Sequence, residues 1–297
     1  MDCGRRGDEM RSSKGDKLFN LCNTIFMLLF AMVCIIPLMY VLSGSLMSDD
    51  EFIRRGFALF PKKLDFTAYR YVMRPEFNMV KGFKDTIIIT VLGTLMNLLF
   101  TASIAYGLAK KTLKGRNLIT GIIFFTMLFG GGMIPTYLVV RATGLINTYL
   151  AFVIPGLVSP WNMFILRNFF MGIPVELEES AMLDGANEVL ILIRIIMPLS
   201  IPALATIGLF YAVGHWNTWF PVLLYIPSTR IVTIQYVLRT ILANELATTM
   251  SIVSESKVPM EQLKMASLIV AMIPVIIIFP FVQKYFVKGV TVGSIKG

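Results

Sequence analysis

Residues 18–42 read LFNLCNTIFMLLFAMVCIIPLMYVL, a run of 25 residues without a charged side chain. A helix needs roughly 20 apolar residues to cross the ~30 Å hydrocarbon core of a bilayer, so this run is long enough to span a membrane. It is too long for the core of a signal peptide, and no small-x-small cleavage site ends it. We therefore expect it to be retained as a first span.

The composition of the whole chain points to the same environment. The chain has 297 residues, of which 56% are hydrophobic and 15% are charged, and its mean hydropathy is +0.73. A soluble globule needs a more polar surface than this composition provides. We predict an all-α polytopic membrane protein surrounded by lipid, with little room for a second, soluble domain.

Polar stretches separate the first run from five further apolar runs, so we predict six spans in one membrane domain, residues 18–287. Two short basic tails flank this domain at residues 1–17 and 288–297. The predicted spans are residues 18–42, 86–109, 118–140, 149–166, 199–224 and 265–287.

Prolines modify two of these spans. Pro155 and Pro160 each remove a helix hydrogen bond, so we expect the fourth span to be bent. The apolar stretch 189–213 is interrupted by Pro198 and Pro202, and for that reason we start the fifth span only after Pro198.

The net charge of +9 is distributed as expected for a membrane protein and not for a nucleic-acid-binding one. Residues 1–17 carry five Lys or Arg and residues 110–116 carry four, against one in residues 141–148. Cytoplasmic loops are rich in Lys and Arg, so both termini are predicted to be cytoplasmic. The eight basic residues of segment 43–85 then lie outside, against the rule, although long segments obey it poorly.

The sequence lacks the usual signatures of catalysis. It contains no GxxxxGK[ST], HExxH or GxSxG motif, and His215 is its only histidine. Its three cysteines, Cys3, Cys22 and Cys34, have no metal-ligand spacing. We expect no catalytic residue, metal site or cofactor in this chain, and an energised transporter would need a separate ATPase subunit.

One acidic block stands out, residues 178–187, which read EESAMLDGAN and are followed by IIMP at 195–198. Pro174 suits the first turn of a helix, where the glutamates that follow favour the positive end of the helix dipole. Gly185 permits a bend that a residue with a Cβ resists. A second helix, 187–196, should end before Pro198, since a residue preceding proline disfavours the helical conformation.

This block resembles the EAA motif, EAA-x3-G-x9-I-x-L-P, of permease subunits in type I ATP-binding-cassette importers. Residues 179–181 take the EAA place, Gly185 and Ile195 follow at the family's spacing, and residues 197–198 take the Leu-Pro place. Ser180 for Ala and Met197 for Leu are the departures. We call residues 174–198 the EAA segment; an ordinary surface loop is the alternative. The resemblance implies contact with an ATPase through Glu178, Glu179, Ser180, Ala181, Asp184, Gly185, Ala186, Ile195 and Pro198.

Three further tracts look like carbohydrate-uptake permeases of the complex-oligosaccharide branch: GGGMIPTY at 130–137, YAVGHWNTWF at 211–220 and GVTVGSIKG at 289–297. The resemblance implies a six-span type I permease in the bacterial cytoplasmic membrane, with the EAA segment as a cytoplasmic coupling loop. It further implies a second permease subunit, an ATPase dimer that binds ATP and Mg, and an extracytoplasmic binding protein that delivers an oligosaccharide.

The residue types in tract 211–220 suggest a function independently of the resemblance. His215 and Asn217 are polar groups in an apolar run, which are costly unless paired or facing a wet cavity. Trp216 and Trp219 offer flat apolar faces of the kind that pack on sugar rings. With Tyr211 these residues are candidates for the substrate pathway; interfacial anchoring and helix packing are the alternatives.

The sequence leaves three further points about function open. The basic residues of segment 43–85 would attract an acidic oligosaccharide such as a uronate, whereas its six acidic residues favour a mixed, solvated surface. An ion-coupled secondary sugar transporter would need intramembrane carboxylates, and no predicted span contains Asp or Glu. A polytopic enzyme acting on lipid-linked sugar would need a loop acid, for example in residues 49–51.

The unequal distribution of Lys and Arg between residues 110–116 and 141–148 yields a test of topology. A cysteine at Lys114 should resist an impermeant thiol reagent added to intact cells, while a cysteine at Thr143 should react. The reverse pattern would place the EAA segment outside the cell, where no ATPase is available.

Overall fold

The computed structural model describes residues 14–56, 58–243 and 260–294, and these residues form helices joined by short turns, with no strand among them. The α-helices are α1 (Lys14–Ser45), α2 (Asp49–Arg55), α3 (Thr67–Val72), α4 (Met79–Ala109), α5 (Arg116–Leu128), α6 (Met133–Ala142), α7 (Leu150–Val153), α8 (Pro160–Phe170), α9 (Val175–Leu183), α10 (Glu188–Ile191), α11 (Met197–Leu199), α12 (Ile201–Trp216), α13 (Phe220–Tyr225), α14 (Ile234–Leu242) and α15 (Met260–Ser294). Pro75–Phe77 and Ile154–Gly156 are 3-10 turns, and Leu192–Ile196 is a π-helical segment.

Three helical stretches are long and apolar enough to cross a membrane by themselves: Gly15–Ser45, Met79–Ala109 and Met260–Ile278. Three further stretches qualify only as bent pairs of helices, which raises the number of candidate spans to six. The fold is therefore the predicted all-α polytopic one, with half of its spans broken.

The predicted bend of the fourth span is confirmed, since α7 with its 3-10 turn meets α8 at 60°. The third span, predicted at 118–140, is bent as well: α5 and α6 meet at 118° across the glycine run 130–132. Gly132, which directly precedes α6, has φ of +83°. Glycine adopts this conformation without steric cost, and no helix continues through it.

The fifth span differs from its prediction at its far end. It was expected to continue to residue 224, but α12 stops at Trp216 and α13 begins at Phe220, with Pro221 in its first turn. Proline is tolerated in the first turn of a helix and disfavours helix immediately before it, so a break falls here.

The second span begins seven residues earlier than predicted, at Met79 instead of residue 86. The extension brings Asp85 into α4, where this carboxylate is only 3% exposed.

The described residues fall into two compact units. The first comprises those within Met1–Tyr71 and Ser256–Ile269. There the backbone of Gly44 lies so close to Met265 that a Cβ would overlap the thioether sulfur, and Gln262 Nε2 donates to the carbonyl of Met47 at 3.2 Å. The most apolar stretch of α1 contains no residue that is buried within this chain.

The second unit, within Val72–Glu255 and Val270–Gly297, is built around α4. One core cluster joins the Ala109 end of α4 to α8, α10 and α12, through buried residues such as Leu108, Leu166, Ile191 and Ile207. A second cluster lies around Ile89 and includes Phe152 and Val222. The helix α4 therefore contacts most of the elements that carry the candidate site.

Side chains of α4 and α12 satisfy the backbone groups that the break between α7 and α8 leaves unpaired. Asn97 Nδ2 donates to the carbonyls of Gly156 and Leu157 at 2.8 and 2.9 Å. The freed N–H of Ser159 donates to Tyr211 Oη at 2.9 Å, and that hydroxyl also contacts Thr101 Oγ1 at 2.7 Å. A hydrocarbon core offers no water to such groups, so the broken span depends on these side chains.

Replacing Asn97 by leucine should lower the free energy of unfolding by about 1–3 kcal/mol, because two carbonyls lose their donor in a buried site. The matched control is Thr94→Val, three residues earlier on α4, since the Thr94 hydroxyl has no hydrogen-bond partner among the described residues. The measurement is the temperature above which the purified protein is no longer monodisperse. Equal temperatures for the two variants would contradict the proposed role of Asn97.

Candidate functional site

The EAA segment folds as two short helices joined at Gly185. The first, α9, follows Pro174, and it ends in a Schellman motif in which Ala186 N donates to Ala181 O at 2.9 Å and Gly185 N donates to Met182 O at 3.0 Å. Gly185 has φ of +84°, so the predicted bend is confirmed. A Cβ on Gly185 would meet no atom within 4 Å, which leaves backbone strain as the only intrinsic cost of a side chain there.

The second helix starts where expected but ends later. Asn187 caps it by accepting a hydrogen bond from Leu190 N at 2.8 Å. The prediction that it ends before Pro198 is wrong: the helical path continues through the π segment and α11 to Leu199, and Met197 keeps helical angles of −62° and −45°. In a π segment the hydrogen bonds run from i to i+5. Pro198, just after this segment, has no N–H to donate, and the changed bonding pattern lets the helix continue through it.

The inner side of the EAA segment is fixed to the Ala109 end of α4 by an ionic cluster. Lys110 Nζ pairs with Glu178 Oε2 of α9 and, at 2.9 Å, with Glu188 Oε2 of α10. Tyr106 Oη donates to Glu188 Oε2 at 2.6 Å. One cation and one hydroxyl therefore hold both helices of the segment.

The environment of Lys110 favours its charged form. Its side chain is 18% exposed and that of Glu178 is 15% exposed, so solvent screens this pair less than an ordinary surface pair. Partial burial disfavours the ammonium, but hydrogen bonds with Glu178, Tyr106 and Glu188 outweigh it and raise the pKa of Lys110 above its ordinary value.

The opposite side of the segment is open. Glu179, Ser180, Asp184 and Gly185 are exposed, and within the described residues the first three make no side-chain hydrogen bond or ion pair. Leu183 is 89% exposed, the highest value among the exposed large hydrophobic residues that the structure describes. Beside it is a groove of about 330 Å³ whose lining includes Ala181, Asp184, Gly185, Ala186, Arg194 and Ile195. Of the nine residues expected to contact an ATPase, Glu178 thus faces inward, Pro198 is exposed at the end of the second helix, and the other seven lie on or beside this open side.

The five pathway candidates separate into two groups. The polar atoms of Tyr211 and His215 are used inside the chain, since Tyr211 binds Thr101 and Ser159 and His215 Nε2 lies 2.8 Å from Asn97 Oδ1. Their assignment to the pathway stays a prediction, and these contacts favour the packing alternative for both.

Trp216, Asn217 and Trp219 are the second group. Trp216 is 9% exposed, and its indole Nε1 has no hydrogen-bond partner among the described residues. With Asn217 it borders a mostly apolar cavity of about 170 Å³ that also touches Thr90, Val213 and Val275. Trp219, two residues after Asn217 in the chain, is half-buried.

The residues that position the site were not predicted from the sequence. Lys110 was interpreted only as an orienting charge, and its two carboxylate partners are 68 and 78 residues away in the chain, a separation that gives no local signal. Asn97 could have been found, because a lone amide in the apolar run 86–109 meets the same criterion that selected Asn217.

Comparisons with known proteins give consistent results, although no family model matches the sequence. The chain is 43% identical to Protein LplC of Bacillus subtilis over 97% of its length and 98% of that protein's. It is 40% identical to the polygalacturonan/rhamnogalacturonan transport system permease protein YtcP of B. subtilis, over 95% and 99% of the two chains. It is 30% identical to the arabinooligosaccharides transport system permease protein AraQ of the same bacterium, over 97% and 100%.

A solved structure shows the same architecture. A chain from a bacterial ABC transporter involved in the import of the acidic polysaccharide alginate superposes with a TM-score of 0.85 and is 33% identical in sequence. The match covers 93% of this chain and 99% of that one.

Replacing Lys110 by methionine should loosen the EAA segment, because Glu178 and Glu188 would then face each other without the cation between them. We expect faster amide hydrogen exchange in residues 175–191, measured by mass spectrometry. Lys111→Met is the matched control, since Lys111 is exposed and forms no ion pair among the described residues. Unchanged protection in Lys110→Met would show that the cluster does not hold the segment.

Proposed function

Because the chain belongs to the family of permease subunits of sugar-importing ATP-binding-cassette transporters, we propose that it moves an oligosaccharide across the bacterial cytoplasmic membrane at the expense of ATP hydrolysed by a separate subunit. In this proposal an extracytoplasmic binding protein delivers the sugar, and a second permease subunit completes the pathway. Two ATPase copies, which bind ATP and Mg, dock on the EAA segments. Both termini are cytoplasmic, as the basic asymmetry of the sequence favours.

The observation that carries the proposal is the two-sided construction of the EAA segment. Its inner side is fixed to α4 through Lys110, while its outer side presents unpaired polar groups, an exposed leucine and a groove. A segment that only connected two spans would need neither feature. A docking element needs both, because it has to bind a partner and pass that partner's movement to the membrane helices.

Coupling follows as a linkage between two equilibria. When the ATPase pair closes, the docked segments move with it, and the spans change between inward- and outward-facing arrangements. ATP and sugar each shift this equilibrium only if they bind the two arrangements with different affinity. An ion-coupled mechanism finds no support in the relatives, and the one carboxylate inside α4, Asp85, has both oxygens occupied by Tyr149 and by the Val232 amide.

We propose further that the oligosaccharide is acidic. Alginate is described as an acidic polysaccharide in the structural relative, and a polygalacturonan, for which YtcP is named, is by its chemistry a chain of uronic acids. AraQ is named for neutral arabinooligosaccharides, so the family includes both kinds. Segment 43–85, which the proposed topology places outside, carries eight basic against six acidic residues, and this small excess favours an anionic ligand.

Trp216 and Asn217 are proposed to border the pathway, since they line the cavity at the end of α12, and Trp219, in the turn that precedes α13, is proposed to lie beside it. Tyr211 and His215 are proposed to hold α12 against α4 and α8 beside it. This division retains all five residues at the site but gives only Trp216 and Asn217 direct access to a sugar.

Gly185→Asp and Glu179→Lys should each abolish sugar uptake while the protein still inserts and folds. The first adds strain and charge at the bend; the second reverses a charge on the open side and opposes the helix dipole by only ~0.3–1 kcal/mol, too little to unfold a six-span protein. The measurement is uptake together with ATPase co-purification.

Gly144→Asp is the matched control for strain, because Gly144 has φ of +72° and open space around it but lies outside the EAA segment. Ordinary uptake by both EAA-segment variants would remove the main support for coupling. Loss of uptake in Gly144→Asp as well would attribute the effect to backbone strain.

A further inference from the structure

Four side chains meet beyond the Trp216 end of α12, and two of them, Gln235 and Arg239, have no part in the proposed function. Asn217 and Trp219 come from the turn after α12, and Gln235 and Arg239 come from α14. The guanidinium carbon of Arg239 lies 3.9 Å from the centroid of the Trp219 ring. Gln235 Nε2 donates to Asn217 Oδ1 at 3.4 Å. Because Gln235 and Arg239 are four residues apart on a helix, they lie on the same face.

The helix that carries Arg239 is held firmly against α4. Its opposite face buries residues such as Ile234, Val237 and Ile241. At its start, Thr86 Oγ1 of α4 accepts a hydrogen bond from Ile234 N at 2.8 Å, and Asp85 Oδ2 accepts one from Val232 N at 3.0 Å. The position of Arg239 is therefore set by a buried, hydrogen-bonded helix start and not by a free loop.

The contact with Trp219 leaves the donors of Arg239 available. A guanidinium stacked on an aromatic ring keeps its five N–H groups in the plane of the group, directed away from the ring. Arg239 is exposed, and no carboxylate among the described residues forms an ion pair with it. Since the guanidinium covers this face of Trp219, the indole supports Arg239 there and does not serve as a platform for a sugar ring.

The geometry points to a subsite for the carboxylate of a uronate unit, and this inference rests on the acidic oligosaccharide of the proposed function. The fork of an arginine matches a carboxylate with two parallel hydrogen bonds. Asn217 and Gln235 have further amide donors and acceptors suited to sugar hydroxyls. Asn217 also borders the Trp216 cavity, so the charged subsite continues into the proposed pathway.

The test uses the complete transporter reconstituted in liposomes with its ATPase and binding protein. The probes are trigalacturonate and trimannuronate, each compared with its methyl ester, which removes the charge and keeps the sugar. Arg239→Gln should lower uptake of the taken-up acid at least fivefold and change uptake of neutral sugar less than twofold. Arg239→Lys, which keeps the charge without the planar fork, should restore part of the loss. Arg230→Gln is the control, because it removes a positive charge from an exposed position nine residues earlier.

The outcomes separate the subsite from the proposed function. If the unaltered complex takes up only neutral oligosaccharides, or if Arg239→Gln leaves acid uptake unchanged, the subsite is wrong and the importer remains. Equal losses for acid and neutral sugars would assign Arg239 to a structural contact or to a carboxylate of a partner subunit, which also overturns the subsite. If no oligosaccharide is taken up or stimulates ATP hydrolysis, the proposed function itself fails.

Discussion

A membrane helix that is broken within the bilayer must find partners for the backbone groups that the break releases, because the hydrocarbon core contains no water to replace them. Three of the six candidate spans are bent pairs. At the break between α7 and α8, Asn97 of α4 supplies two donors and Tyr211 of α12 supplies an acceptor, and both side chains are buried. His215 then completes the pairing of Asn97. The close approach of α12 is possible because position 93 is glycine, where a Cβ would overlap the imidazole.

The same helix makes polar contacts at both of its ends. At the Ala109 end, Lys110 and Tyr106 hold the two helices of the EAA segment. Near the Met79 end, Asp85 and Thr86 hold the start of α14. The proposed ATPase-docking side and the proposed sugar-binding side are thereby attached to one 31-residue helix. Side chains that are packed and fully hydrogen-bonded resist continuous deformation, so a displacement at one end is passed on as movement of the whole body.

The sequence was sufficient for features that depend on local chemistry. Runs without charge located the spans, and the spacing around Gly185 located a bend that needs a positive φ. Helix ends beside prolines were less predictable: Pro155 and Pro160 broke a span as expected, whereas Pro198 lies within a continuous helical path because a π segment precedes it. The break between Trp216 and Phe220 lies within an apolar run, so hydropathy does not register it.

Features that depend on pairing across the chain were beyond sequence reasoning. Tyr211 and His215 satisfied the criterion for a pathway residue, yet their partners at positions 101, 159 and 97 use their polar atoms internally. The pairing of Lys110 with Glu178 and Glu188, and the stacking of Arg239 on Trp219, join residues that are distant in sequence or on different elements. Only the folded arrangement distinguishes a charge that orients the protein from one that positions a site.

If α4 joins the two sides as one body, spin labels at Leu183 in the EAA segment and at Leu242 in α14 should keep a fixed separation through the transport cycle. Pulsed electron paramagnetic resonance measures that separation directly. The complete transporter is measured once without nucleotide and once arrested with a bound ATP analogue. We expect the two distance distributions to agree within about 2 Å, the size of shift that packed helices accommodate. A change of about 5 Å, one helical turn, would show that the two sides move independently and that α4 does not transmit the movement.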